Sequence, residues 1–74
     1  MASSSAIPKQ LKTIGANLRR QRTARKITQE KLSEMADLNI RTLQKIEAGQ
    51  TNILVTTAIR LKESIGCRWS DLLG

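Results

Sequence analysis

The chain has 74 residues, with 13 Lys or Arg against 6 Asp or Glu, no histidine and one cysteine, for a formal net charge of +7. That length carries one domain with a small core. A lone Cys67 forbids an internal disulfide or a cysteine metal cluster, and the lack of histidine removes the commonest general base and metal ligand, so neither an enzyme nor a metalloprotein is expected.

No run of about 18 apolar residues is present to cross a membrane. The N-terminus lacks the apolar stretch of a signal peptide. A cytoplasmic, nucleoid-associated chain without cofactor, metal or small-molecule ligand is therefore expected. The charge is concentrated: Lys9, Lys12, Arg19, Arg20, Arg22, Arg25 and Lys26 fall within residues 1–27, which hold no acid. Such a surplus in a small domain points to a polyanionic partner, nucleic acid before membrane.

Residues 1–6 are small and polar and are expected to be disordered, leaving 7–74 as the domain. Pro8 suits the first turn of a helix. Leu11, Ile14 and Leu18 recur at helical spacing, and this first helix should end near Arg25. Gly15 within it weakens a helix by about 1 kcal/mol relative to Ala, which suggests that something packs closely there. Thr28 reads as the cap of a second helix, about 29–36, with Leu32, Met35 and Ala36 on its apolar face. Asp37-Leu38-Asn39 breaks it, and Asn39 caps a third helix, about 40–48, with Leu43 and Ile46 inward. Gly49 stops that helix. After the polar loop Gln50-Thr51-Asn52, the residues Val55, Ala58, Leu61, Lys62 and Ile65 follow helical spacing up to Gly66. The β-branched cluster 53–57 is the one place where a strand fits, but its continuation at helical spacing favours helix. Trp69, Leu72 and Leu73 suit a last short helix. The fold class is all-α, with five short helices.

Helices two and three are separated by about three residues, the arrangement of a helix-turn-helix whose second helix enters the major groove. With Leu43 and Ile46 facing the core, Arg41, Gln44 and Lys45 lie on the opposite side, with Ile40 beside them. Arg41 has the chemistry to donate two hydrogen bonds to guanine, a pairing worth about 1–3 kcal/mol of discrimination. Gln44 matches adenine, Ile40 a thymine methyl, and Lys45 a base edge or a phosphate. The bland reading of the same face is a charged, solvated surface.

The run Ile27-Thr28-Gln29-Glu30-Lys31-Leu32, followed by Leu38-Asn39-Ile40-Arg41-Thr42-Leu43-Gln44-Lys45-Ile46-Glu47-Ala48-Gly49, resembles the Xre family of Cro and phage-repressor type. Arg22, seven residues before Gln29, and the ending Ile65-Gly66-Cys67-Arg68-Trp69-Ser70-Asp71-Leu72-Leu73 extend the resemblance over nearly all of the chain after Ile7.

The resemblance implies a lambda-repressor-like five-helix domain. It implies a sequence-specific transcriptional regulator, repressor or controller, that binds double-stranded DNA at a near-palindromic operator as a homodimer. It places base reading on Ile40, Arg41 and Lys45, to which the outward face adds Gln44 and the cap adds Asn39, a base or phosphate contact; the phosphate candidates are Gln29, Thr28, Thr42, Thr51 and Asn52. It makes Arg22 and Glu47 a buried ion pair. Three features depart from the family pattern. The loop 50–52 carries no charge, Asp37 stands where a turn glycine is usual, and Ser33 replaces an alanine, so its hydroxyl must bond back to a helix carbonyl.

Trp69 is expected as a core anchor or a dimer contact. Leu72 and Leu73 do not both fit one small core, so the set Trp69, Leu72 and Leu73 is the candidate dimer interface. The alternative function is an antitoxin-like or other protein-interaction module with secondary DNA binding. A basic membrane-binding helix is disfavoured because the first helix has no aromatic residue.

Overall fold

Spacing and capping chemistry together account for the helices of the computed structural model, which describes residues 3–74 and the side chains from Pro8 onward. The order is α1 Ser3–Ala24, α2 Gln29–Met35, α3 Ile40–Glu47, α4 Val55–Ile65 and α5 Trp69–Leu73. α1 starts upstream of the expected Pro8 start, so Pro8 lies inside it rather than in its first turn. The missing N–H removes one i→i−4 hydrogen bond from α1 at that point. Of the segment 1–6, expected to be disordered, Met1 and Ala2 lie outside the described residues and the backbone of 3–6 belongs to α1.

The helix-turn-helix is built by two caps and one strained residue. The Thr28 hydroxyl accepts the Lys31 N–H at 3.0 Å, and Asn39 Oδ1 accepts the Arg41 N–H at 2.8 Å. Each such cap is worth about 1 kcal/mol. Between the helices Asp37 has φ +54°, the left-handed conformation, which Asp tolerates better than most residues. The Leu38 N–H donates to the Ser33 carbonyl at 2.8 Å and closes the turn. The Ser33 hydroxyl is satisfied within its own helix, donating to the Glu30 carbonyl at 2.7 Å.

Leu18, Leu32, Leu43, Ile46 and Leu61 form the fully buried centre, drawn from α1 to α4, and Ala36, Ile65, Cys67 and Leu72 complete it. Burying each large side chain contributes about 1.5–3 kcal/mol. The register of α4 differs from expectation. Its inward face is Thr57, Leu61 and Ile65, spaced by four, which leaves Val55 74% exposed.

Leu72 and Leu73, expected not to fit one small core together, divide accordingly: Leu72 is 3% exposed and packs inward, and Leu73 is left outside. A five-residue helix has one inward face, and Leu72 occupies it. Trp69 and Leu73, four residues apart, share the other side at 39% and 59% exposure, so Trp69 is no core anchor. Its ring lies under the Lys62 ammonium, 5.6 Å from the centroid.

α1 holds the other helices by close contact. A Cβ on Gly15 would overlap the Ile46 carbonyl oxygen and lie 2.7 Å from that of Glu47. Only glycine lets the end of α3 rest there. Asn17 is buried, and its Nδ2 donates to the Leu72 carbonyl at 2.9 Å, tying α5 to α1. Gly15→Ala should therefore destabilise the fold, by about 1–3 kcal/mol for overpacking, despite the gain of about 1 kcal/mol in helix propensity. Urea unfolding monitored by circular dichroism checks this.

Candidate nucleic-acid interface

Leu43, Ile46 and Glu47 turn one side of α3 into the core. The opposite side carries Arg41, Thr42, Gln44 and Lys45, all exposed, with Ile40 half-buried and Asn39 exposed at the cap. Among the described residues neither Arg41 nor Lys45 has an ionic partner. Both cations are thus available to an external acceptor. Thr28 is exposed at the start of α2, its hydroxyl taken by the cap. Thr51 is half-buried and Asn52 exposed in the uncharged loop after α3.

Beneath this face lies a buried ion pair. Arg22 Nε donates to Glu47 Oε2 at 2.7 Å and Nη2 to Oε1 at 3.0 Å, in side chains only 10% and 3% exposed. The remaining donor, Nη1, reaches the Ile27 carbonyl at 2.8 Å. One residue thereby joins α1 to the end of α3 and to the chain entering α2. The parallel two-bond geometry is the strong form of an arginine–carboxylate contact.

The pair does not stop at two residues. Gln29 Nε2 donates to Glu47 Oε1 at 3.0 Å, and Gln44 Nε2 reaches Gln29 Oε1 at 3.4 Å. Gln29, expected to present its amide to a phosphate, has that amide engaged at both ends. Sequence reasoning did not find this link. Gln29 and Glu47 are 18 residues apart, and no local pattern pairs them. Asn17 was missed too, although an Asn in a helix interior is a poor helix former and is itself a signal to look for its partner.

The helix-turn-helix family profile matches residues 18–72, most of the chain. The chain belongs to this family, in its Xre-type form. It is therefore a DNA-binding transcriptional regulator and not an enzyme. Its fold is similar to that of the restriction-modification controller protein C.AhdI from Aeromonas hydrophila, with a TM-score of 0.80 and 27% identity over 84% of this chain and 94% of that one. No curated protein matches it by sequence. Among the described residues, no helix of this helix-turn-helix domain is long and apolar enough to cross a membrane.

Arg22→Ala should cost about 3–5 kcal/mol, because it strands the buried Glu47 carboxylate without its counter-charge. That is a large share of the total for a domain of this size. Thermal or urea unfolding reads the loss, and Arg22→Lys, which keeps the charge but not the fork, should lose less.

Proposed function

We propose that this regulator, a repressor or controller, reads a near-palindromic operator as a homodimer, with α3 of each subunit in the major groove. The observation that carries the reading is the exposed side of α3, where Arg41 and Lys45 stand without ionic partners opposite the buried Leu43 and Ile46. Arg41, Lys45, Ile40, Gln44 and Asn39 are assigned to base edges. Thr28, Thr42, Thr51, Asn52 and, through its backbone N–H rather than its engaged amide, Gln29 are assigned to the phosphate backbone. The basic residues of α1 raise affinity at long range for double-stranded DNA. The likeness to a restriction-modification controller supports control through operator occupancy, in the cytoplasm on the nucleoid.

The homodimer is supported by an apolar surface. Val55, Trp69 and Leu73 line an apolar groove with Ile14, Ile53, Ala58 and the largely buried Leu72. Trp69 and Leu73 remain the candidate contact residues with a second copy.

Selection of bound duplexes from a random pool tests the reading. The expected product is a palindromic motif whose half-sites lie about ten base pairs apart or a multiple of that. A salt-steep affinity with no enriched motif would overturn it. Arg41→Ala should relax preference at one base pair per half-site by about tenfold, whereas Thr42→Ala should weaken all sites alike. Leu73→Ser should weaken self-association about tenfold or more, since burying one leucine is worth about 1.5–3 kcal/mol. Sedimentation measures that change, with the circular dichroism spectrum unaltered.

A further inference from the structure

We propose that Glu47, beyond its part in the ion pair, is a positioning residue for base readout that sets which way the Gln29 and Gln44 amides face. The inference rests on the reading of α3 as the base-reading helix. An ionised carboxylate only accepts hydrogen bonds. Glu47 Oε1 accepts from Gln29 Nε2 at 3.0 Å, so Gln29 has its NH2 group inward and its carbonyl oxygen outward. That oxygen accepts from Gln44 Nε2 at 3.4 Å, so Gln44 turns its NH2 toward Gln29. Its own carbonyl oxygen and one N–H are left for the groove. The bond to Glu47 is the shorter of the two, and it carries the ordering.

Glu47 is itself held by Arg22 through both carboxylate oxygens, at 2.7 and 3.0 Å. It has no freedom to rotate and release Gln29. A glutamine amide in water samples both flips, and each flip offers a base edge the opposite donor and acceptor order. The buried carboxylate selects one order before DNA arrives. The glutamine pair at the surface is thereby pre-organised for a single base pair rather than adaptable to several.

The test separates positioning from stability. The full chain and the variants Gln44→Ala, Gln29→Met and Glu47→Gln are profiled against a library of operators with every single base-pair change. Gln44→Ala identifies the base pair that Gln44 reads. Gln29→Met breaks the chain of bonds outside the core and leaves the Arg22–Glu47 pair intact, so it serves even where Glu47→Gln folds poorly. Gln29→Met should lower discrimination at that same base pair from about tenfold to about twofold, the advantage of a correctly ordered bidentate contact. Glu47→Gln supplies an NH2 group to the site and frees Gln29 to flip, so the preferred base there should change or vanish.

Ile65→Val, a mild core change, is the control: a loss of stability scales affinity for all operators by one factor. If Arg41→Ala relaxes its base pair while Gln29→Met and Glu47→Gln only scale all sites equally, the positioning role is overturned and the regulator reading stands. If Gln44→Ala alters no base preference, the proposal falls as well.

Discussion

Arg22 and Glu47 lie 25 residues apart in the chain, yet their side chains meet in a fork buried between α1 and the end of α3. Burying two charges is costly, and their attraction offsets the cost only when every remaining donor and acceptor finds a partner. Here it does. Arg22 also reaches the Ile27 carbonyl, Glu47 also accepts from Gln29, and among the described residues no buried side-chain polar atom lacks a hydrogen bond. Apolar contacts alone would tolerate a small slide of α3 along α1. A two-point fork does not, so the pair holds α3 in one register against the rest of the domain.

α1 is the frame on which both candidate surfaces hang. Gly15 seats the carbonyl end of α3, and two residues later Asn17 grips the Leu72 carbonyl of α5. One of these helices carries Arg41 and Lys45 outward, and the other carries Trp69 and Leu73. In a dimeric regulator the spacing between two recognition helices must match about one turn of DNA. A rigid helix joined closely to both elements is a physical means of keeping that spacing.

The polar bonds also show how a small core serves a charged surface. Five large side chains make up the fully buried centre, and hydrogen bonds carry the order from there to the surface. Ser33 closes on its own helix, Thr28 and Asn39 close on the first turns they cap, and Gln29 connects the ion pair to Gln44. The left-handed Asp37 is stable because the turn around it is closed by a backbone bond from Leu38 to Ser33.

Residue order alone determined the five helices, their caps at Thr28 and Asn39, the stops at Gly49 and Gly66, and the outward side of α3. These depend on interactions within a few residues, which leave periodic and capping signatures. The resemblance in the motif supplied the Arg22–Glu47 pairing and the family. Tertiary structure decided the rest. It buried Thr57 and left Val55 in solvent, and it took Leu72 into the core while leaving Trp69 and Leu73 outside. It also joined Gln29 to Glu47 and Asn17 to α5. Each of these outcomes depends on which face of one helix meets a distant helix, and on side chains that pair across 18 or 55 residues. Spacing along the chain carries no record of such meetings, because only packing in three dimensions brings the partners together.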